Sequence, residues 1–240
     1  MVVDDGTTGP VMLPALVGII RHPDALITVD AGLGSATREG AFPGFLLDRP
    51  GRHVVPEGET VVERLGRPPD LVLMTHLHHD HTSGLLDMPG AKVWTTTDDW
   101  RAFGGGALGF PRRLRAAVDW RPQDVRPGRA GQVLGRPALD VLGDGRIWYL
   151  ALAGHTPGSA AVLVHAEDGP WLFIGDTAWV DQHLEGVRRP PLVRALIDAE
   201  PRAVSAGLDW AGRLKHGCPG LRVIVGHEPT LAEGTRSMPR

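Results

Sequence analysis

A cluster of four histidines and one aspartate occupies residues 75–81, Thr-His-Leu-His-His-Asp-His. Written as a pattern, it is His76-x-His78-x-Asp80-His81. Imidazole and carboxylate groups are the ligands that borderline divalent cations take in proteins. Several histidines at the end of one buried strand would repel one another when protonated, and a metal ion removes that conflict. We therefore interpret the cluster as a metal site rather than as a surface histidine patch.

Three further ligand candidates, His155, Asp176 and His227, lie in short turns. The turns read Gly-His-Thr-Pro-Gly, Gly-Asp-Thr and Gly-His-Glu-Pro, and each comes after a predicted strand. Taken singly, such residues are more often turn residues than ligands. Because all three share this setting with the histidine cluster, we expect the strand ends to converge on one edge and form one site with seven ligands.

The elements that position these residues are predicted from apolar runs. Residues 14–20 and 25–30 predict a β-hairpin, and residues 70–75 predict a buried strand directly before the histidine cluster. Further strands are predicted at 92–95, 146–152, 160–165, 170–175 and 221–225. A helix over 201–216 carries one apolar stripe, Val204, Leu208, Ala211 and Leu214. Two β-rich halves, each with a covering helix, predict two sheets packed face to face with helices outside.

The connecting segments are predicted from turn residues and caps. Thr60 and Glu63 predict a capping box at the start of a helix, and 97–100 opens another helix. Residues 34–56 predict a long loop that carries Phe42 and Phe45, which could line a pocket or cover a sheet edge. Residues 104–130 are rich in Gly, Pro and Arg and predict an irregular surface excursion. No linker is visible, so residues 1–240 are expected to form a single domain.

Composition narrows the class of protein. The chain has 240 residues, a formal net charge of −3 and one cysteine, Cys218, so no internal disulfide can form. The absence of a basic excess argues against nucleic acid as a partner, and no apolar stretch approaches the roughly 20 residues that a membrane helix needs. The N-terminus carries Asp4 and Asp5 and no basic residue before Arg21, which argues against an export signal. We expect a cytoplasmic protein that acts on a small molecule, and homodimer formation is left open.

In these motifs and their order, the chain resembles the metallo-β-lactamase superfamily. The resemblance runs from the strand end Asp30-Ala31-Gly32 to Gly226-His227. It implies an α+β fold, an αββα four-layer sandwich, with a dinuclear metal site at the sandwich edge. It also implies two divalent metal ions, zinc first, with iron, manganese or cobalt as alternatives. By matching position, the first ion takes His76, His78 and His155, the second takes Asp80, His81 and His227, and Asp176 bridges both.

The same resemblance implies hydrolysis. Two cations held together generate a shared hydroxide near neutral pH, which attacks the carbonyl of a lactone, ester or thioester. Asp176 and Asp80 are the residues expected to act in catalysis, Asp176 by bridging the ions and Asp80 by passing a proton to the leaving group. Phosphodiester or organophosphate hydrolysis remains an alternative, as does a mononuclear-iron persulfide dioxygenase.

Within the superfamily, the chain most resembles the quorum-quenching N-acyl homoserine lactonases. The shared features are the chain length, the hairpin Ile20-Arg21-His22-Pro23, the motif Thr-His-Leu-His-x-Asp-His-x-x-Gly and the Gly-His-Thr-Pro-Gly turn. Those lactonases often place a tyrosine three residues after the bridging aspartate, and here that position is Trp179. An indole N–H donates a hydrogen bond but supplies no acidic proton. Trp179 either contacts substrate or packs internally, and Phe42, Phe45 and His53 are the other expected substrate-binding residues.

Overall fold

The computed structural model describes residues 12–40, 53–104 and 112–231. The chain divides into two compact units. The first unit runs from Val17 to Asp124. The second unit joins the residues up to Leu16 with the chain from Val125 onward. Each unit contains one β-sheet and one set of helices, and each is described separately below.

The first unit is built on a five-stranded mixed sheet. Its strands are β1 (Gly18–His22), β2 (Ala25–Val29), β3 (Leu71–Leu73), β4 (Lys92–Thr96) and β5 (Asp119–Gln123), in that spatial order. Strands β1 and β2 form an antiparallel hairpin in which His22 pairs with Ala25, and the other neighbouring strands are parallel. The carboxyl ends of β2, β3 and β4 therefore lie at the same edge of the sheet.

Short helices fill the connections of the first unit. They are α1 (Ser35–Arg38), α2 (Val61–Leu65), α3 (His79–Thr82), α4 (Thr97–Asp99) and α5 (Arg112–Ala117). The core contains Val72 and Met74 from the region of β3, packed with Leu85, Met88 and Leu114. All five of these side chains are at most 1% exposed, so the segment that leads into the histidine cluster is held rigidly.

The second unit is built on a six-stranded mixed sheet. Its strands are β6 (Gly131–Val133), β7 (Arg136–Asp140), β8 (Ile147–Ala151), β9 (Ala160–Ala166), β10 (Gly169–Phe173) and β11 (Arg222–Ile224). The spatial order is β11-β10-β9-β8-β7-β6, with only β10 and β11 parallel. Strands β8 and β10 both run antiparallel to β9, and β11 runs parallel to β10. The carboxyl ends of β8, β10 and β11 therefore lie at the same edge of the sheet.

Among its described residues, the second unit has two α-helices, α6 (Pro191–Ile197) and α7 (Pro201–Gly217). Helix α7 buries Val204, Leu208 and Ala211, which pack with sheet residues such as Leu172 and Ile174. The predicted apolar stripe on this helix is therefore confirmed. Among the described residues, no helix is long and apolar enough to cross a membrane.

Most predicted elements are confirmed. The hairpin, the strands at 70–75 and 92–95, the four strands of the second half, and the two helix starts at Thr60 and Thr97 are all present. Thr60 and Glu63 form the expected capping box, with each side chain bonded to the main chain of the other residue. Helix α2 ends at Gly66, which is in the left-handed conformation, slightly before the Pro68-Pro69 pair.

The prediction of an irregular excursion over 104–130 is wrong. This stretch contains α5 and the edge strand β5, which pairs with β4 over five residues. The sequence Asp-Trp-Arg-Pro-Gln hides the strand because its side chains are half-buried or exposed and it includes Pro122, which a sheet tolerates mainly at an edge. Residues 105–111 lie outside the described residues.

Three smaller differences complete the comparison. The segment 34–56, expected to be a loop, begins with helix α1, and its residues 41–52 lie outside the described residues. The hairpin of β6 and β7 and the helix α6 were not predicted. The hairpin turn is Leu134-Gly135, and both residues have positive φ angles, which leucine rarely adopts.

Candidate metal centre

The histidine cluster of the first unit gathers its imidazole rings directly after β3. The rings of His76 and His78 have centroids 4.7 Å apart, and those of His76 and His81 are 4.1 Å apart. Nε2 of His81 lies 3.7 Å from a carboxylate oxygen of Asp80. His76 and His81 are 1% exposed, whereas His78 and Asp80 are half-buried. The four predicted ligands of this unit therefore lie together.

Asp30 fixes the orientation of two of these rings, and sequence reasoning assigned it no role. Its carboxylate accepts hydrogen bonds from the main-chain N–H of Thr75 (2.6 Å), from the Thr75 hydroxyl (2.7 Å) and from Nδ1 of His81 (2.8 Å). Because the Thr75 hydroxyl gives its proton to Asp30, it accepts from Nδ1 of His76 at 3.1 Å. Both histidines thus carry their proton on Nδ1 and present Nε2 as a donor atom for a metal.

Asp99 is a second carboxylate that sequence reasoning did not assign. It is completely buried and accepts the main-chain N–H of Leu77 at 3.0 Å, between His76 and His78. Its own main-chain N–H is capped by the hydroxyl of Thr96. Asp99 therefore fixes the backbone of the ligand segment from the end of β4. Both carboxylates follow parallel strands, which is the signal that could have identified them.

The histidine motif ends in a glycine, Gly84, because the chain at this position packs closely against the end of β2. A Cβ atom at this position would overlap the carbonyl oxygen of Ala31. The two segments are close because Gly84 N–H donates to Gly32 O (2.9 Å) and Ala31 N–H donates to His81 O (2.9 Å). The glycine thus allows the ligand segment to dock on the end of β2, where Asp30 lies.

His79 and His53 form a separate pair in the first unit. Their rings are in an edge-to-face arrangement with centroids 4.8 Å apart. His53 is exposed, so its predicted role in substrate binding stays a prediction. Phe42 and Phe45, the other two expected substrate-binding residues of this region, lie outside the described residues.

The second unit brings its three ligand candidates together around one carboxylate. Asp176 lies in a 3-10 turn after β10, and its carboxylate oxygens are 3.5 Å from Nε2 of His155 and 3.1 Å from Nε2 of His227. All three residues are less than 9% exposed. One carboxylate therefore lies between two imidazole nitrogens, although the three residues are distant in sequence.

Hydrogen bonds on the far side of each ring decide which nitrogen faces Asp176. Nδ1 of His227 donates to the carbonyl oxygen of Pro14 at 2.8 Å, and Nδ1 of His155 donates to the carboxylate of Asp198 at 3.0 Å. Neutral imidazoles in this form direct an acceptor nitrogen at an acceptor oxygen. A cation between them turns that repulsion into coordination, so the donor set fits a divalent metal. Asp198, which directly follows α6, had no sequence signal.

Gly226 is required by the same close packing. A Cβ atom at this position would overlap a carboxylate oxygen of Asp176. Gly226 is held there by its N–H, which donates to Ala178 O at 2.9 Å. The glycine of the Gly-His pair after the last strand therefore leaves room for the carboxylate of Asp176, in addition to forming a turn.

Trp179 lies beside the ligands of the second unit. Its ring is 6.1 Å from that of His227 in an edge-to-face arrangement, and its main-chain N–H donates to Nδ1 of His183 at 3.1 Å. The residue is half-buried, so it has both an internal contact and an exposed part. Its predicted role in substrate binding stays a prediction.

The family of the chain follows from its sequence match. The model of the metallo-β-lactamase superfamily matches residues 11–208. The chain therefore belongs to the metallo-β-lactamase superfamily, and its two mixed sheets and helices are those of the predicted αββα fold. It is a metal-dependent hydrolase of this superfamily.

Several relatives share most of the chain. A "Probable metallo-hydrolase" of Mycobacterium tuberculosis is 28% identical over 245 residues, which cover 91% of this chain and 76% of the relative. The N-acyl homoserine lactonase AttM of Rhizobium radiobacter is 26% identical over 249 residues, covering 85% and 87%. A solved N-acyl homoserine lactone hydrolase, with the product N-hexanoyl-L-homoserine at its catalytic metal center, has a TM-score of 0.72 and 17% identity. It covers 100% of this chain and 91% of that chain, and at this identity the likeness shows the fold alone.

Proposed function

We propose that this protein hydrolyses the carbonyl bond of a small lactone, or of a related ester or thioester, at a site that holds two divalent metal ions. The observation that carries the proposal is the carboxylate of Asp176, which lies within 3.5 Å of both Nε2 of His155 and Nε2 of His227. A carboxylate that has two oxygens and lies close to two imidazole nitrogens could contribute to binding two cations. Relatives named as lactonases support the choice of substrate class.

The proposed ligand set has seven members. One ion would be held by His76, His78 and His155, the other by Asp80, His81 and His227, and Asp176 would be shared. Contacts within each unit support this division. In the first unit, the donor atoms of His76 and His78 lie within 4.8 Å of each other, as do those of Asp80 and His81. In the second unit, the two histidines beside Asp176 are assigned to different ions.

The proposed hydrolysis needs both the metal ions and two aspartates. When bound, two divalent ions supply an activated water at neutral pH and polarise the carbonyl group that is attacked. Asp176 would be the shared ligand, and its negative charge would offset the repulsion between the two cations. Asp80 is 30% exposed in its side chain, so it is the carboxylate that can reach a leaving group. We assign to Asp80 the transfer of a proton to the leaving oxygen or sulfur.

The test is proton release from a substrate panel containing γ-lactones, N-acyl homoserine lactones, aryl esters, thioesters and phosphodiesters. The protein is first freed of metal and then reconstituted separately with zinc, cobalt and manganese, with metal content measured for each sample. We expect rapid lactone opening with about two ions per chain, which stops when a chelator is added. The three reconstituted forms identify the preferred metal, for which zinc is our expectation.

Other results would redirect the assignment. Turnover of phosphodiesters without lactone opening would contradict the carbonyl specificity and favour the phosphoesterase branch. Inactivity on the whole panel, with one iron per chain and oxygen uptake on a persulfide, would contradict hydrolysis. The single domain over 1–240, the cytoplasmic location and a homodimer stay predictions.

Trp179 offers a matched test of substrate contact. Replacing Trp179 by tyrosine adds a phenol, whose O–H donates a hydrogen bond to a carbonyl oxygen and is more acidic than the indole N–H. If the exposed part of the ring faces substrate, kcat/KM for lactones should rise severalfold in Trp179→Tyr. Unchanged kcat/KM, with unchanged metal content, would show that the ring only packs inside the second unit.

A further inference from the structure

Two adjacent arginines before α6 have opposite environments. Arg188 has a side chain that is 32% exposed and pairs with Asp209 at the surface. Arg189 is only 3% exposed, and its side chain is directed into the second unit. A buried arginine is costly unless its charge and its donors are satisfied, so the contacts of Arg189 indicate what it is there to hold.

The guanidinium group of Arg189 makes three kinds of contact. Nη2 donates to both carboxylate oxygens of Asp198, at 2.9 and 3.1 Å. Nη1 donates to the main-chain oxygen of Asp176 at 3.0 Å. The face of the group lies 4.8 Å from the ring centroid of Trp179. One planar group thus contacts the residue that orients His155, the shared metal ligand and the neighbouring tryptophan.

Arg189 keeps its charge in this buried position, and two carboxylates offset part of the cost of burial. Burial lowers the pKa of Arg189 below its usual value, and the carboxylates of Asp198 and Asp176 oppose that shift. Arginine keeps its proton in proteins, so the group remains a cation. It supplies the countercharge for Asp198, whose side chain is completely buried.

The contacts of Arg189 lead to two metal ligands. Asp198 uses Oδ1 for both Nη2 of Arg189 and Nδ1 of His155. The contact of Nη2 with both oxygens fixes the orientation of the Asp198 carboxylate, and the carboxylate in turn fixes the ring of His155. The second arm fixes the peptide of Asp176 on the other side. The separation between Nε2 of His155 and the Asp176 carboxylate, 3.5 Å, therefore depends on one guanidinium group.

We propose that Arg189 is a positioning residue of the metal centre, which sets the ring orientation and tautomer of His155 through Asp198 and holds the main chain of Asp176 directly. The proposal rests on the proposed function in one respect, since it treats His155 and Asp176 as metal ligands. Its structural content, the tautomer of His155, can be measured without any metal. A residue that only anchored α6 would leave that tautomer unchanged.

The experiment compares Arg189→Met with Arg188→Met, since the neighbouring arginine is half-buried at the surface and contacts none of the candidate ligands. Ring nitrogens and protons of histidine are observed by NMR in the metal-free protein, and zinc affinity is measured by competition with a coloured chelator. Arg189→Met should convert His155 from the Nδ1–H tautomer to a mixture, and should weaken zinc binding by roughly 10–100-fold. Arg188→Met should match the wild type in both measurements.

A second variant covers the case in which Arg189→Met does not fold. Arg189→Lys keeps a cation beside Asp198, but an ammonium group has one nitrogen and cannot replace both Nη2, beside Asp198, and Nη1, beside the main-chain oxygen of Asp176. It should weaken zinc binding at least about tenfold. A folded Arg189 variant with wild-type zinc affinity and an unchanged His155 tautomer would overturn the proposal.

The two proposals fail in different ways. If no substrate is hydrolysed but the Arg189 variants change the tautomer of His155, the proposed function is wrong and the positioning role stands. If the wild type hydrolyses lactones and the Arg189 variants equal it in tautomer and in zinc affinity, only the positioning role is wrong.

Discussion

The two units hold their ligands by different means. In the first unit, four candidate ligands come from six consecutive residues, His76 to His81, and one carboxylate, Asp30, orients two of the rings. In the second unit, three candidate ligands come from three separate strand ends, and each histidine has its own partner, Asp198 or the carbonyl of Pro14. In the first unit the candidate ligands are close in sequence, and two histidine rings share one hydrogen-bond acceptor. In the second unit they are distant in sequence, and each histidine ring has an acceptor of its own.

This difference has a physical consequence. A short segment that follows a buried strand has little freedom, so a single carboxylate can orient two side chains, one directly and the other through a threonine hydroxyl. Residues on distant segments are brought together only by packing, so each needs a separate anchor. Removing the acceptor of a histidine ring should therefore affect two candidate ligands in the first unit and one in the second. Arg189 is the exception in the second unit, because it contacts both Asp198 and the main chain of Asp176.

The largest effect is expected at the carboxylate on which the second unit converges. Asp176→Ala should lower the metal content by about one ion per chain and reduce hydrolysis by a thousandfold or more, since metal ions contribute several kcal/mol to catalysis, about 1.4 kcal/mol per tenfold. Metal analysis and initial rates check this. Full activity at normal metal loading would contradict the bridging role and remove the basis of the comparison.

The next effect tests the close packing of the second unit. Gly226→Ala should displace the carboxylate of Asp176, because the added methyl group overlaps it, and should weaken metal binding by roughly 10–100-fold. Gly217→Ala, at the end of α7 with no atom near the added methyl, is the matched control. Equal metal affinities in the two variants would mean that the turn around Gly226 adjusts freely.

Two isosteric substitutions test whether one carboxylate orients two histidine rings in the first unit and only one in the second. Asp30→Asn should perturb both His76 and His81, and Asp198→Asn should perturb His155 alone, in histidine NMR spectra of the metal-free protein. Each change should weaken metal binding by roughly 10–100-fold, with Asp30→Asn at the upper end. If Asp30→Asn altered only His81, the hydrogen-bond chain through Thr75 would not operate and the two units would be alike in this respect.

The smallest effect lies away from both ligand groups and gives a baseline. The Arg38 guanidinium, together with the main-chain N–H of Thr60, lowers the pKa of Glu63 to about 2, from an ordinary value of 4.5. A carboxyl group whose pKa is lower in the folded protein than in the unfolded chain stabilises the fold at pH values above the unfolded pKa. This contribution is lost as the pH falls from about 4.5 to about 2. Glu63→Gln should slightly reduce the urea midpoint at pH 7 and have no effect near pH 2.

The urea series on metal-free protein also provides a control for the other variants. The difference between Glu63→Gln and the wild type should shrink in high salt, because the pair is exposed to solvent. Metal affinity should be unchanged in this variant. A difference in stability that is constant from pH 7 to pH 2 would show that the loss of helix capping, not charge, accounts for it.

Sequence patterns predicted the strands that carry the ligands but not the segments between them. β3 and β10 are apolar runs that end at a ligand, and such runs are recognisable in isolation. The edge strand β5 and the hairpin of β6 and β7 were missed, because edge strands expose most of their side chains and a leucine with positive φ gives no turn signal.

The residue types of the chain by themselves determined the ligand chemistry. Imidazole and carboxylate groups in a fixed pattern after a buried strand predict a metal site, because a cation can bind several of these donor atoms at once. Tertiary structure alone decided which nitrogen is presented by four of the histidines, since that depends on Asp30, Asp198 and the carbonyl of Pro14. These acceptors are far from their histidines in sequence, and only packing brings a buried donor to its acceptor.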